Sequence, residues 1–154
     1  MGSVNVGDQA PDFSLEGTSG TFRLSEHRGE RIVLLFYPGD DTTVCTKQFC
    51  SYRDHEADMS SLNAKVVGIS TGTVASKEAF VAKHGLKTEL LADEDGAVAA
   101  QFGIFAKRLK MAKRTVFIID EQGKVAHKHG NPLSLTYDDV DDLKKALDAL
   151  PAAA

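Results

Sequence analysis

The sequence predicts an α/β layered domain, and three observations lead to it. Residues 32–36, 66–69 and 116–119 are continuous apolar runs without polar alternation, the pattern of strands covered on both faces. Helix-like segments lie between and after them, at 43–62, 73–84, 96–102 and 137–150. The order is therefore β-α-β-α followed by later strands, which sorts sheet and helices into separate layers.

Taken in chain order, the pieces around 13–15 and 21–24, separated by the Gly17–Gly20 stretch, predict a small hairpin added at a sheet edge. Ile32-Val33-Leu34-Leu35-Phe36 is the first central strand, and the helix from Thr43 leaves it. The second strand at 66–69 is followed by the helices at 73–84 and 96–102. After the third run at 116–119, Glu121-Gln122-Gly123 is a turn signal, so 124–129 returns antiparallel and the sheet is mixed. In the last helix Asp138, Asp139, Asp141 and Asp142 precede Lys144 and Lys145. That is the polarity a helix dipole favours, so the acidic cluster is read as a helix start rather than a metal or partner site. The tail at 151–154 is expected to fray.

Composition narrows the function. With 154 residues, 42% hydrophobic and 26% charged, the chain is expected to form one soluble domain spanning 1–154, without repeat or linker. A net charge of −4 argues against general binding to nucleic acid or to a membrane surface. Residues 1–7 lack the basic and apolar regions of a leader, and no apolar run approaches a membrane span, so a cytoplasmic protein is expected. Met1-Gly2 is not read as a myristoylation start, because Val6 stands where Ser or Thr is needed. Lys107, Arg108, Lys110, Lys113 and Arg114 crowd together, but without interleaved aromatics they read as a solvated loop. No long apolar stripe is left over, which predicts a monomer.

No cofactor or metal is expected. Tetrahedral zinc needs paired ligand spacings that the histidines do not offer. His127 and His129 alternate on one strand face without a third ligand, and His27, His55 and His84 have no partner visible in sequence. Phe80, Phe102 and Phe105 are read as packing residues.

The chemistry concentrates in Pro38-Gly39-Asp40-Asp41-Thr42-Thr43-Val44-Cys45. This order can seat a thiol in the first turn of a helix that leaves a buried strand, where backbone N–H groups and the helix dipole favour a thiolate. Cys45 is thus a candidate nucleophile. A free thiol with a pKa of about 8.5 is only a few per cent ionised at neutral pH, so charge stabilisation is needed. Arg114, heading an apolar strand, is the best candidate cation, although spacing alone lets it face either the active edge or solvent. Asp40 and Asp41 are expected to face water. Thr42 is either a helix N-cap or a hydroxyl donor to an oxygen held above the sulfur.

Cys50, the only other cysteine, follows five residues later. In an ideal helix that spacing puts the two Cα atoms about 8.6 Å apart, beyond the roughly 7 Å a disulfide tolerates. A bond between them requires the helix to unwind, which suits a disulfide made and broken in turnover.

Pro38, Thr42 and Cys45 match the Pro-x-x-x-Thr/Ser-x-x-Cys signature of the peroxiredoxins, and Gly7-Asp8-Gln9-Ala10-Pro11-Asp12-Phe13 is similar to that family's opening. The similarity continues through residues 32–38, 66–70, 91–93 and 114–120 to Gly123. The Cys-x4-Cys spacing followed by Tyr52-Arg53-Asp54 resembles the bacterioferritin comigratory protein, or peroxiredoxin Q, subgroup. This resemblance implies a thioredoxin fold with an added N-terminal hairpin, Cys45 as peroxidatic and Cys50 as resolving cysteine. It implies a thiolate-activating role for Arg114, a supporting one for Gln48, and Pro38 as a shield over the sulfur. It also implies a peroxide substrate, held by Thr42, Val44, Cys45 and Arg114, and a thioredoxin-type reductant. Val44 departs from the glycine common in the subgroup; it keeps the N–H and narrows the pocket mouth, which favours small peroxides.

Two rival readings remain. A thioredoxin-like thiol–disulfide oxidoreductase without peroxidase activity would ordinarily carry Cys-x-x-Cys, which is absent. A redox-switched holdase or sensor would use the same disulfide without peroxide turnover.

Overall fold

The computed structural model describes residues 4–130 and 136–150. Met1-Gly2, not read as a lipidation start, and the tail at 151–154, expected to fray, lie outside the described residues.

Strands β1 (Ser14–Gly17) and β2 (Gly20–Arg23) form the antiparallel hairpin read from the sequence. A 3-10 turn at Leu24–His27 leads to β3 (Ile32–Phe36), then α1 (Thr43–Asp54), α2 (Glu56–Ser60), β4 (Lys65–Ser70), α3 (Val74–His84), β5 (Glu89–Ala92) and α4 (Ala97–Gln101). A two-stranded ribbon of β6 (Phe105–Ala106) and β7 (Met111–Ala112) precedes β8 (Thr115–Ile119), β9 (Val125–Gly130) and α5 (Val140–Asp148). Among the described residues seven strands make one sheet in the order β2-β1-β5-β4-β3-β8-β9. β3, β4 and β5 run parallel, while β8 is antiparallel to β3 and β9 to β8. The edge hairpin joins β5 through Gly17 opposite Leu91.

β3 is apolar throughout, and β4 and β8 carry polar residues only at their ends, because both faces are covered. Ile32, Leu34 and Phe36 face one core with Phe102, Phe117 and Val98, the side of α4 and the edge hairpin. Val33 and Leu35 face a second core with Phe49, Phe80 and Leu143, the side of α1, α3 and α5. Side-chain alternation along a strand feeds two cores from one run. Gly68 lets α1 lie close on β4: a Cβ there would stand 2.9 Å from the Phe49 ring and 2.7 Å from the Leu90 side chain.

Sequence and structure differ in four places. The helix expected over 43–62 breaks at His55, whose backbone leaves helical geometry (φ −113°, ψ 39°) and whose ring meets the Ser51 carbonyl at 2.8 Å. Asp54, His55 and Glu56 are all exposed, so no buried side chain holds the helix continuous there. β5, with its short Leu-Leu pair, and the β6–β7 ribbon are strands that the sequence reading does not assign. The last helix starts at Val140 rather than 137, because Asp139 caps it: Asp139 and Asp142 exchange side-chain and backbone hydrogen bonds of 2.9 and 3.0 Å. Among the described residues no helix is long and apolar enough to cross a membrane.

Candidate active site

The site forms where β3 leaves the sheet. The chain passes Tyr37, Pro38 and Gly39 and turns into α1 at Thr42, the N-cap, whose backbone is extended (φ −81°, ψ 160°). The helix opens with the Thr46 N–H bonded to the Thr42 carbonyl at 2.8 Å, so the N–H groups of Thr43, Val44 and Cys45 are those a helix start leaves without helical acceptors. Cys45 occupies this first turn as the sequence predicts, and its residue is fully buried. Thr42 caps no N–H with its side chain; its hydroxyl donates to the Gly39 carbonyl at 3.3 Å. Pro38 and Val44 flank the turn, both half-buried.

Strand register brings the cation. Thr115 pairs with Phe36 across the β3–β8 ladder, so Arg114 emerges beside the point where β3 ends and α1 begins. The guanidinium is 2% exposed, and its Nη2 donates to Cys45 Sγ at 3.0 Å. Its Nη1 donates to Oε1 of Gln48, one helical turn after Cys45 and 1% exposed. Of the two orientations open to Arg114 from sequence, the inward one is observed. A buried negative charge is tolerated only when paired and hydrogen-bonded, and Arg114 offers both to the sulfur.

The hydrogen-bonded chain continues. Gln48 Nε2 donates to the Tyr52 hydroxyl at 2.9 Å, and that hydroxyl donates to the Asp138 carbonyl at 2.5 Å. The Asp138 carboxylate meets His129 Nδ1 at 2.8 Å. Burial pushes the Tyr52 phenol far above its ordinary range, so the group is a permanent donor. The sequence does not mark Tyr52 or Asp138 as site residues; the spacing of Gln48 and Tyr52, one helical turn apart, is the available signal. Asp138 is a buried residue ahead of the cap rather than a solvated member of an acidic helix start, and His129 has a partner.

A second polar cluster corrects the expectation that Asp40 faces water. Its side chain is 7% exposed, because Tyr37 Oη and Ser76 Oγ each donate to it at 2.7 Å and Lys77 Nζ at 3.2 Å. Lys77, a fully buried lysine on α3, also donates to Ser70 Oγ at 2.7 Å and the Thr71 carbonyl at 3.1 Å. Burial lowers the Lys77 ammonium below its usual range, against the pull of Asp40, and burial together with Asp40 raises the Tyr37 phenol. Asp41 is exposed as expected, in left-handed backbone (φ 58°), and pairs with Lys83 at 2.7 Å and His84 at 2.9 Å.

Cys50 is half-buried on the same unbroken α1, packed against the second core, and both thiols are free. The structure therefore brings Cys45, Arg114 and Gln48 together by direct contact, sets Thr42, Val44 and Pro38 around the helix start, and leaves Cys50 farther along the helix.

The AhpC/TSA family model matches residues 6–128. A putative peroxiredoxin bcp of Coxiella burnetii is 37% identical over 131 residues, covering 80% of this chain and 87% of that protein. Peroxiredoxin Bcp of Bacillus subtilis is 34% identical over 80% of this chain and 83% of its own, and the chloroplastic peroxiredoxin Q of Triticum aestivum is 36% identical over 84% of this chain and 61% of its own. The crystal structure of peroxidoxin BcpB from Mycobacterium tuberculosis superposes with a TM-score of 0.83 at 34% identity, covering 97% of this chain and 99% of that one.

Proposed function

The chain belongs to the AhpC/TSA family and is a peroxiredoxin-type thiol peroxidase, and we propose that Cys45 is its peroxidatic cysteine and Cys50 its resolving cysteine. The observation that carries this reading is the 3.0 Å hydrogen bond from the buried Arg114 guanidinium to Cys45 Sγ at a helix N-terminus. It is the one place among the described residues where a thiol meets a buried cation.

In the proposed cycle the Cys45 thiolate attacks one oxygen of hydrogen peroxide or a small organic hydroperoxide, in line with the O–O bond. The S–O bond forms as the O–O bond breaks, and the departing oxygen takes a proton and leaves as water or an alcohol. Arg114 and the free N–H groups at the start of α1 receive the charge that grows on the oxygens. The Thr42 hydroxyl turns from the Gly39 carbonyl to the substrate, Pro38 limits water at the sulfur, and Val44 narrows the approach. Gln48 fixes the second arm of Arg114. Cys45 is left as a sulfenic acid, and the Cys50 thiol condenses with it, releasing water and forming an intramolecular disulfide before further oxidation. A thioredoxin-type dithiol then reduces that bond by exchange. Both cysteines lie on one helix, so the cycle closes within a single-domain monomer, in a cytoplasm able to supply the reductant.

Stopped-flow oxidation of the reduced protein by hydrogen peroxide tests the reading. Wild type and Cys50→Ser are expected to react orders of magnitude faster than an ordinary thiol, with Cys45→Ser silent and Cys50→Ser losing thioredoxin-linked turnover. A wild-type rate no faster than that of free cysteine would instead favour a redox switch or a plain thiol–disulfide oxidoreductase.

A further inference from the structure

We propose that Tyr52 is a positioning residue for this reaction, holding Arg114 on the sulfur through Gln48. The inference rests on the peroxidatic reading of Cys45 and extends it to a residue that touches neither sulfur nor guanidinium.

The amide of Gln48 is the link between Tyr52 and Arg114. A buried side-chain amide can be satisfied in more than one rotamer, and in only one does its oxygen face Arg114 Nη1. The Tyr52 hydroxyl selects that rotamer by accepting from Nε2 at 2.9 Å. It can act as an acceptor there because its own proton is committed to the Asp138 carbonyl at 2.5 Å. The direction of every bond is thereby set: Asp138 accepts from Tyr52, Tyr52 from Gln48, and Gln48 from Arg114, whose other arm donates to Cys45 Sγ. Tyr52 is itself immobile, 2% exposed, with its ring edge-on to Phe49 at 5.6 Å and to Tyr137 at 6.4 Å between centroids. A buried phenol without the relay would have needed only one partner, the Asp138 carbonyl. Its second bond goes to Gln48, which in turn accepts from the guanidinium that meets Cys45 Sγ.

The same chain links the relay to the proposed disulfide. Tyr52 lies two residues beyond Cys50 on α1. Any unwinding that carries Cys50 to Cys45 moves Tyr52 off Asp138 and Gln48, so Arg114 is braced while α1 is intact and released when it opens.

The test uses the full chain carrying Tyr52→Phe, Gln48→Ala, or both, and follows oxidation of reduced protein by hydrogen peroxide. Loss of a hydrogen bond of ordinary strength predicts a roughly fivefold fall in the second-order rate constant for Tyr52→Phe. Because Tyr52 acts through Gln48, the double variant is expected to react no more slowly than Gln48→Ala alone. A spectroscopic readout accompanies it: the Arg114 side-chain N–H resonance is expected to be sharp and slowly exchanging in wild type and to broaden in Tyr52→Phe. An unchanged rate and unchanged resonance in a Tyr52→Phe protein that has only lost thermal stability would overturn the proposal, as would multiplicative rate effects in the double variant. Tyr52→Met, of similar reach but without a hydroxyl, takes its place if the phenylalanine variant does not fold. If wild type itself does not react rapidly, it is the peroxidatic reading that fails, whatever Tyr52 does.

Discussion

Lys77 on α3 and Asp40 in the loop before α1 form a buried ion pair with Nζ 3.2 Å from Oδ2. The pair ties the turn that presents Cys45 to the end of β4 and to α3, since Lys77 also bonds Ser70 and Thr71 while Ser76 and Tyr37 bond Asp40. A carboxylate with three donors is well satisfied; one stripped of its cation in this setting is not. Lys77→Met is therefore expected to destabilise the fold by about 3 kcal/mol, the scale for breaking a buried pair from one side. The double variant Lys77→Met/Asp40→Asn should recover part of that loss. Urea denaturation of wild type, Lys77→Met, Asp40→Asn and the double variant checks it, and strictly additive losses would count against the pair.

Arg114 is expected to matter more to rate than to folding. Arg114→Ala removes a charged donor aimed at Cys45 Sγ, the proposed nucleophile, and a single such donor is worth about a hundredfold in comparable sites. Arg114→Lys keeps the charge but not the two-armed geometry that reaches Sγ and Gln48 together, so it should recover only part of the rate. Stopped-flow oxidation measures both; a lysine variant as fast as wild type would show that charge alone suffices.

Asp41 gives a pH signature. The Lys83 and His84 hydrogen bonds hold its carboxyl below the usual carboxylate range, so the folded state binds a proton there less readily than the unfolded chain. The stabilising contribution is present above the unfolded value of about 4 and disappears as pH falls through the lowered folded value. Asp41→Asn should accordingly be less stable than wild type at pH 6, with the two melting temperatures converging in acid. A gap that persists at pH 2 would assign the effect to the left-handed backbone instead, although asparagine tolerates that conformation as well as aspartate does.

Disulfide formation between Cys45 and Cys50 should melt part of α1. The helix is continuous from Thr43 to Asp54 with both thiols free, and five residues of helix hold their Cα atoms about 8.6 Å apart. Amide exchange over residues 46–53 is expected to quicken in oxidised wild type and to stay slow in Cys50→Ser treated in the same way. Equal protection in both redox states would mean the sulfurs meet without unwinding.

Gly68 offers a packing test. Its Cβ would intrude on the Phe49 ring at 2.9 Å and on Leu90 at 2.7 Å. Gly68→Ala should cost about 1–3 kcal/mol by overpacking, read as a lowered Tm, and should slow peroxide oxidation by shifting α1.

Much of the architecture is legible in the sequence alone. The apolar runs that became β3, β4 and β8 are long enough to be read directly, because a strand covered on both faces needs no polar position. The Glu121–Gly123 turn and the antiparallel return to β9 follow from local chemistry in the same way. Elements with weak local signals were not legible: β5 offers a single Leu-Leu pair, and β6 and β7 are two residues each, defined by the partner they pair with. The break at His55 separates a buried stripe that ends at Tyr52 from a polar stretch, a distinction visible only once the core is assembled.

The candidate site divides along the same line. Sequence alone determined that a cysteine would stand in the first turn of a helix leaving a buried strand, with a second too far along that helix to reach it, because those facts depend on neighbours within a turn or two. Tertiary structure decided that Arg114 points inward, that Gln48 and Tyr52 brace it, and that Asp40 is buried on Lys77 rather than solvated. Each of those contacts is set by strand register or helix packing between segments remote in the chain, and the charge of a side chain does not reveal which way the fold will turn it.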